Sequence, residues 1–327
     1  MSRSSAPEPV TAVIDLASAW LPARMAEVER RLEAQVDGWG AELGSDAGET
    51  LAAGGKRMRP LLVLLCSGPR AGAAAIRAAA AIELVHMATL VHDDVLDAAP
   101  LRRGVPTVAA RSGRDRAVAA GDLLFSRAFA ELATGGQEAT RQVELLARAS
   151  VALARGELAQ RQDAFDPGVG IDRYRLRCEL KTAALFACAC VIGIERDAQE
   201  QDALLGFGRE IGLAFQLLDD VLDVLGPPER TGKARGTDLL DGTVTLPFIL
   251  ARKRDPELAE VDLAALDAEE AERICDRIAA TGVTEEVRAD AAARVAAAKT
   301  ELRDSGMPAA ELKLLELVAD GVVQRYS

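Results

Sequence analysis

The chain contains the acidic pentapeptide Asp-Asp-Val-Leu-Asp twice, at residues 93–97 and again at residues 219–223. Apolar residues precede both copies, which is the pattern of helices buried inside a bundle. Residues four apart share one face of a helix, so the first and last aspartate of each copy project together. Two like charges about 4 Å apart cost about 4 kcal/mol at an effective dielectric of about 20. Such clusters persist most easily around a cation, and all-oxygen donors favour Mg²⁺.

The composition favours a helical protein and argues against several classes of partner. Hydrophobic residues make up 49% of the 327 residues and aromatic residues only 3%, and the dominance of alanine and leucine favours helices over sheets. The net charge of −12 argues against nucleic-acid binding and against a polybasic membrane anchor. No apolar run approaches the about 20 residues of a transmembrane span. We expect a cytoplasmic protein with five reduced core thiols, at Cys66, Cys178, Cys188, Cys190 and Cys275.

Helical periodicity runs along almost the whole chain, without a convincing alternating strand pattern. The breaks contain glycine and proline, and none is long enough to be an interdomain linker. We predict a disordered tail at residues 1–10 and a single all-α domain at residues 11–327, a bundle of about ten or more helices around a central cavity. The principal predicted helices cover residues 11–36, 71–96, 117–132, 141–164, 171–194 and 198–225. The polar stretch at residues 226–242 is expected to be a lid.

Basic residues are placed where they could bind phosphate. Gly54–Pro60 combines a flexible turn, three cations and a proline suited to the first position of a helix. Cations beside a helix N-terminus form a phosphate site, although a solvated basic turn is the structural alternative. Arg102 and Arg103 closely follow the first aspartate motif. His86 lies two helical turns before Asp93 on the same face, which favours a phosphate or carboxylate contact over a packed core histidine.

In their order along the chain, these motifs resemble those of the trans-isoprenyl diphosphate synthases. The resemblance covers approximately residues 50–250 and is specific, because every block occurs in order, whereas a single acidic motif would be weak. The blocks are Gly-Gly-Lys-Arg-x-Arg-Pro from Gly54, Glu-Leu-Val-His from Glu83, the motif from Asp93, Arg-Arg-Gly from Arg102, Gly-Asp-Leu-Leu from Gly121, Gly156-Glu157, Lys181-Thr182-Ala183, the motif from Gln216 to Asp223, Gly232-Lys233, Gly236-Thr237-Asp238, and Thr-Leu-Pro from Thr245.

The resemblance implies an isoprenoid synthase fold, a homodimer and head-to-tail prenyl elongation. It implies that an allylic diphosphate binds between the two aspartate motifs through about three Mg²⁺ ions. The implied metal ligands are Asp93, Asp94, Asp97, Asp219, Asp220 and Asp223. The implied contacts to the allylic diphosphate are Arg102, Lys181 and Lys233. Isopentenyl diphosphate carries no metal of its own, and its implied contacts are Lys56, Arg59, His86 and Arg103.

The resemblance also implies the reaction itself. The metals and cations stabilise the departing diphosphate, the allylic C–O bond ionises, and the alkene of isopentenyl diphosphate attacks the cation. The released diphosphate then accepts the proton. Thr182 and Gln216 are implied to direct oxygen lone pairs toward the cation. The full implied catalytic set is Asp93, Asp94, Asp97, Lys181, Thr182, Gln216, Asp219 and Asp220.

One position departs from the pattern of the family. The family usually has a lysine directly after the glycine of its Gly-Lys-x-Thr-Leu-Pro block, and this chain has Gly242-Thr243-Val244-Thr245. One diphosphate contact is therefore lost or supplied elsewhere. Because all six aspartates are retained, we expect weaker allylic binding rather than an inactive enzyme.

The residues before the first aspartate motif predict a long product. The growing tail should run along the helix toward its N-terminus, beneath Asp93. Relatives that stop early tend to have aromatic residues four and five positions before this aspartate, where this chain has Thr89 and Ala88. Val85 lies one further turn down. This open floor predicts about six or more isoprene units in the apolar tunnel, as in the branch that supplies quinone side chains.

Three alternatives remain open at this stage. A geranylgeranyl product would result if a bulky residue from another helix, such as Phe125 or Phe129, closed the tunnel deeper down. A class I terpene cyclase shares the fold and the metal-assisted ionisation, but it would not need a second diphosphate site. A non-catalytic subunit of a heteromeric prenyl synthase would typically lose the aspartates or the basic motif, and this chain retains both.

Overall fold

The computed structural model describes residues 8–226 and 235–324, which form an almost entirely helical protein. The first half contains α1 (Glu8–Leu16), α2 (Leu21–Val36), α3 (Gly40–Ala52), α4 (Met58–Ser67), α5 (Ala73–Leu96), α6 (Val108–Ser112), α7 (Arg114–Ala133) and α8 (Ala139–Gln162). The second half contains α9 (Ile171–Cys178), α10 (Ala184–Val191), α11 (Ala198–Leu225), α12 (Thr237–Leu240), α13 (Leu246–Arg252), α14 (Pro256–Ala259), α15 (Ala268–Ala280), α16 (Val283–Asp304) and α17 (Ala309–Gln324). The all-α class predicted from the sequence is confirmed.

Helices α5 and α11, which carry the two aspartate motifs, lie at the centre of the bundle. α5 packs most extensively against α7 and also contacts α2 and α4, while α11 packs against α10 and α16. By length and composition α5 could cross a membrane, contrary to the expectation from the sequence, but 72% of its apolar window is buried inside the protein. A helix that is apolar all round is expected in such a position because its neighbours cover every face.

The observed secondary structure differs from the predicted one at local irregularities. The helix predicted at residues 171–194 is interrupted by a π-helical turn at Glu179–Ala183. Two short strands, β1 (Leu101–Arg102) and β2 (Val105–Pro106), pair antiparallel. Two residues per strand are too few for a visible alternation, so sequence reasoning missed them. Their turn places Arg103 and Gly104 at φ 54° and 79°, the positive values that a tight hairpin requires.

The N-terminal segment differs from its prediction, whereas the cysteines agree with theirs. The first helix begins at Glu8, inside the segment predicted to be a tail, and residues 1–7 lie outside the described residues. All five cysteines are buried and free, as predicted. Burial raises the pKa of Cys178, Cys188 and Cys275 to about 12, so these thiols stay protonated and unreactive at neutral pH.

Candidate active site

The two aspartate motifs meet at one cavity of about 200 Å³, at the C-terminal ends of α5 and α11. Both helix ends carry partial negative charge from their exposed carbonyl groups, which adds to the charge of the carboxylates. The acidic residues that line the cavity are Asp93, Asp97, Asp219, Asp220, Asp238 and Asp241, and the basic ones are Arg102, Arg177 and Lys181. The excess of carboxylates makes this a site for cations.

Asp93 is a strongly perturbed carboxyl group in the cavity. Burial raises the pKa of Asp93 to about 8, with a further rise from a hydrogen bond and the charge of Glu157, while nearby Lys181 opposes it. Lys181 forms an ion pair with Glu157 at 2.5 Å and donates to the amide oxygen of Gln160 at 3.2 Å. Two adjacent carboxyl groups therefore share one lysine, and Asp93 keeps its proton at neutral pH unless a further cation takes the place of that proton.

A chain of hydrogen bonds fixes the opposite wall. The Tyr174 hydroxyl donates to Asp220 Oδ2 at 2.6 Å, and the Gln216 amide donates to Asp220 Oδ1 at 2.8 Å. The Thr182 hydroxyl in turn donates to Gln216 Oε1 at 2.7 Å. Burial raises the pKa of Asp220 to about 6, and the donors Tyr174 and Gln216 oppose that rise. Because Thr182 uses its only proton here, its lone pairs are the part of the hydroxyl offered to other partners.

The π turn and a glycine allow α8 to approach this wall closely. Lys181 and Thr182 both lie on the π turn at Glu179–Ala183, and such turns commonly occur at functional sites. A Cβ atom at Gly156 of α8 would lie only 2.5 Å from the backbone nitrogen of Lys181. The glycine of the Gly-Glu block is therefore required for the close packing that brings Glu157 to Lys181.

Two of the six motif aspartates do not line the cavity. Asp94 accepts a hydrogen bond from Arg102 Nε at 2.7 Å and faces a neighbouring cavity of about 370 Å³. Asp223 accepts one from the backbone N–H of Asp238 at 3.2 Å. Within residues 8–226 and 235–324, no three acidic, histidine or cysteine side chains lie close enough to hold a metal by themselves. A metal here would need phosphate oxygens and water to complete its coordination, as Mg²⁺ commonly does.

A second cluster of charged groups surrounds His86. Burial lowers the pKa of His86 well below 6.5, and the charges of Arg59 and Arg103 lower it further. Burial also lowers the pKa of Arg59 to about 10, and its guanidinium lies 4.6 Å from the centre of the Phe186 ring. His86 is therefore a neutral group among several cations. Lys56 is exposed on the loop before α4.

Arg57 organises this cluster, a role that sequence reasoning missed. It adopts a left-handed conformation (φ 47°) and donates to Glu29 at 2.8 Å and Glu83 at 2.9 Å. A Cβ atom at Gly55 would lie 3.1 Å from Arg103 Nη1 and 3.3 Å from Arg57 Nη1. The absence of a side chain at Gly55 thus lets these guanidinium groups approach the loop.

The residues predicted to control chain length lie on α5 beneath Asp93. Val85 and Ala88 are fully buried, and the Thr89 hydroxyl donates to the carbonyl of His86 at 2.8 Å. None of them lines the cavity between the aspartate motifs. Phe125 and Phe129 of α7 form an aromatic pair, as do Phe186 of α10 and Phe215 of α11, each with ring centres 5.5 Å apart.

Several cavity residues were absent from the prediction. Tyr174 and Arg177 precede Lys181 by seven and four residues, a helical spacing that could have revealed them. Asp238 belongs to the Gly236-Thr237-Asp238 block recognised in the sequence but was not assigned to the site, and Asp241, directly after α12, follows no recognisable pattern. Arg161 forms an ion pair with Asp97 at the rim. Residues 227–234 of the predicted lid, including Lys233, lie outside the described residues.

Known proteins share both the sequence and the structure. Residues 42–280 match the polyprenyl synthetase family model. The chain is 42% identical over 234 residues to heptaprenyl diphosphate synthase component 2 of Geobacillus stearothermophilus, covering 69% of this chain and 72% of that protein. The polyprenyl synthase from Caulobacter crescentus CB15, solved with calcium and isoprenyl diphosphate, has a TM-score of 0.90 and 33% identity over 100% of both chains.

This chain is also similar to a protein that is named for a different product. The geranylgeranyl pyrophosphate synthetase from Pyrococcus horikoshii Ot3 has a TM-score of 0.84 and 30% identity over 95% of this chain and 98% of that one. Relatives that differ in product thus share the fold, and they confirm the resemblance carried by the motifs. The chain belongs to the polyprenyl synthetase family and is a prenyltransferase with the all-α isoprenoid synthase fold.

Proposed function

We propose that the protein catalyses the Mg²⁺-dependent head-to-tail condensation of isopentenyl diphosphate with an allylic diphosphate, giving a linear all-trans polyprenyl diphosphate. The observation that carries this proposal is the presence of two sites of opposite charge, each of which could bind a diphosphate. One is a carboxylate-lined cavity that a cation must complete, and the other is a cluster of guanidinium groups around a neutral His86. Two sites of this kind suit two diphosphates, of which only one arrives with metal.

The residues of the cavity fit Mg²⁺. Asp93 and Asp220, whose pKa values burial raises, line the cavity from α5 and α11, and Asp97 and Asp219 line it as well. Each ion would be bound by one or two of these carboxylates and would fill its other coordination positions with phosphate oxygens and water. We propose about three ions per site. When bound, Mg²⁺ supplies Lewis-acid stabilisation of the departing diphosphate. Asp94 and Asp223 are retained as metal ligands in the proposal, and each would have to leave its present hydrogen bond.

The side chains of this chain perform the remaining steps. Arg102, Lys181 and Lys233 hold the allylic diphosphate while its C–O bond breaks and the electron pair leaves with the diphosphate. The π electrons of isopentenyl diphosphate form the new C–C bond, and the displaced proton passes to the released diphosphate. Thr182 and Gln216 place oxygen dipoles beside the transient cation.

Isopentenyl diphosphate binds at the second cluster. Lys56, Arg59 and Arg103 donate to its diphosphate, and neutral His86 can donate one N–H to the same group. The burial of Arg59 supports this assignment, because a cation held at low dielectric binds an anion more strongly than an exposed one.

The proposed product is a chain of about six or more isoprene units, which grows in an apolar tunnel and supplies the side chain of a quinone. Small residues at Ala88 and Thr89 support this length, as does the relative named as a heptaprenyl diphosphate synthase component. A geranylgeranyl product is the alternative, supported by the relative with that name. We expect Ala88→Phe to shorten the product, with Ala79→Phe, at a buried position on the opposite face of the same helix, as a control for packing damage. An unchanged length in a folded Ala88→Phe protein would refute this tunnel assignment.

The protein acts as a cytoplasmic homodimer without a transmembrane segment or a nucleic-acid partner in this proposal. A heteromeric arrangement is a second candidate, because the Geobacillus relative is named as component 2 of its enzyme. A class I terpene cyclase is disfavoured, because Arg59, Arg103 and His86 would then form an anion site without a use.

Product analysis tests the function. Purified protein is incubated with Mg²⁺, excess isopentenyl diphosphate and, in turn, dimethylallyl, geranyl, farnesyl or geranylgeranyl diphosphate, and the hydrolysed products are measured by mass spectrometry. We expect linear chains beyond about six units from the apolar tunnel. Cyclic products, or no elongation from any starter, would contradict the proposal.

A further inference from the structure

Arg177 lies in the wall of the carboxylate-lined cavity, although no step described so far uses it. It belongs to α9, one turn before Lys181, and only 4% of its surface is exposed. Its Nη2 atom donates to the backbone carbonyl of Val244 at 2.6 Å. Its Nη1 atom is buried and makes no hydrogen bond. The guanidinium is therefore fixed at one end and unsatisfied at the other.

An unsatisfied nitrogen of this kind is unusual within the part of the chain that the structure describes. The other arginines with a buried, unsatisfied nitrogen there lack a partner only at Nε, whereas Arg177 lacks one at a terminal nitrogen. Arg177 is also the only residue of that group that lines the cavity between the aspartate motifs. A buried cationic donor without a hydrogen bond destabilises a protein unless a ligand or water satisfies it.

Neighbouring groups only partly neutralise the charge of Arg177. Asp163 lies 3.7 Å from Nη1, beyond hydrogen-bonding distance, and both of its oxygens accept from Arg173 Nε at 3.0 Å. Two arginines thus share one carboxylate. Thr243, which precedes the residue that Arg177 anchors, also lines the cavity and brings no charge to this wall. Among the cations that line the described part of this cavity, Arg177 is the one with a buried terminal nitrogen that makes no hydrogen bond.

We propose that Arg177 is a further substrate-binding residue, whose Nη1 donates to the diphosphate of the allylic substrate while Nη2 stays on Val244. The planar guanidinium suits this division, because its terminal nitrogens can donate to two different acceptors in one plane. The carbonyl of Val244 preorganises the group, so little side-chain freedom is lost on binding. The inference deepens the proposed function and rests on it for the identity of the ligand.

The test measures diphosphate binding directly. Inorganic pyrophosphate is titrated calorimetrically into protein containing Mg²⁺ and saturating isopentenyl diphosphate, which occupies the cluster around His86 and has no allylic partner with which to react. Arg177→Gln keeps a donor for Val244 and removes the charge. We expect its pyrophosphate affinity to fall about tenfold, the size expected for one charge-assisted hydrogen bond, and Arg177→Lys to recover part of the loss.

The matched control is Arg175→Gln, which makes the same change of charge on the same helix. Arg175 is half exposed, pairs with Asp290 and does not line the cavity. We expect its pyrophosphate affinity to be unchanged. In steady-state assays Arg177→Gln should raise KM for the allylic diphosphate about tenfold and change KM for isopentenyl diphosphate less than about twofold. Equal changes in both KM values would show a purely structural role and overturn the inference.

A second-site substitution keeps the inference testable if Arg177→Gln folds poorly. Thr243→Lys adds a cation to the same wall, so it should improve pyrophosphate affinity much more in the Arg177→Lys background than in the wild type. Equal gains in both backgrounds would contradict a shared ligand. If the wild type fails to elongate any allylic starter, the proposed function fails, whereas an active wild type with normal pyrophosphate binding in Arg177→Gln refutes only the inference.

Discussion

The two proposed diphosphate sites of this protein have opposite charge, although the same helix contributes to both. At its C-terminal end α5 contributes Asp93 to a cavity with an excess of carboxylates, and two turns earlier it contributes His86 to a cluster of guanidinium groups. Burial raises the pKa of Asp93 to about 8 and lowers the pKa of His86 well below 6.5. The same desolvation thus favours the neutral form of both groups.

The difference indicates how one enzyme can distinguish two ligands with the same diphosphate group. In the proposed function, the carboxylate cavity repels a bare diphosphate and accepts one only together with cations. The cluster around His86 would need no added cation, because its arginines are already present. The two sites would then select their ligands by charge.

The largest expected effect comes from removing charge from the carboxylate cavity. We expect Asp219→Asn to lower kcat by about a thousandfold or more, a loss comparable with removal of a principal electrostatic group. KM for isopentenyl diphosphate should change little, because its site lies elsewhere. Asp202→Asn, an exposed carboxylate on the same helix, is the control. Equal losses in the two variants, or full activity in Asp219→Asn, would contradict the role of the cavity.

A reciprocal pair of substitutions should separate the two sites. Arg59→Gln should raise KM for isopentenyl diphosphate by about tenfold to a hundredfold, and Lys181→Gln should raise KM for the allylic diphosphate by a similar factor. Each should leave the other KM nearly unchanged. Steady-state kinetics with both substrates varied provides the measurement, and thermal denaturation establishes that both variants fold. A Lys181→Gln variant with the larger defect toward isopentenyl diphosphate would reverse our assignment.

A smaller effect is expected on stability as the pH changes. Burial raises the pKa of Asp93 to about 8 and of Asp220 to about 6, from 3.8 in the unfolded chain. The folded protein therefore keeps protons that the unfolded chain has released, and the free energy of unfolding contributed by these groups falls as the pH rises from about 4 to about 8. Urea denaturation of EDTA-treated protein should show this fall. Asp93→Asn should reduce the slope between pH 6 and 8, and an unchanged slope would contradict the assignment.

Much of this architecture could be predicted from residue patterns, while the hydrogen-bond partners could not. The apolar surroundings of Asp93 and Asp219 indicated two buried helices that face one cavity, and α11 has the predicted bounds, residues 198–225. The orientations of Asp94 and Asp223 depend on Arg102 and on the backbone of Asp238. Such contacts are formed between segments that the sequence alone does not place side by side.

The contacts of the wall around Asp220 also could not be predicted from residue patterns. Tyr174 donates to Asp220 from 46 residues away, and the π turn that presents Lys181 and Thr182 has no signature in hydrophobic periodicity. Thr243 was recognised as a departure from the family pattern, but its consequence depends on Arg177, whose side chain reaches the neighbouring Val244 from α9. Spacing along a helix identifies which residues share a face but leaves open what that face contacts.

The most direct test of two sites with opposite electrostatics is calorimetric titration of isopentenyl diphosphate, first in EDTA and then in Mg²⁺, followed in each case by geranyl diphosphate under conditions that prevent turnover. We predict that isopentenyl diphosphate binds with similar affinity in both, whereas geranyl diphosphate binds the remaining site only when Mg²⁺ is present. Tight binding of geranyl diphosphate in EDTA after isopentenyl diphosphate has saturated its site, or loss of isopentenyl diphosphate binding in EDTA, would contradict the account.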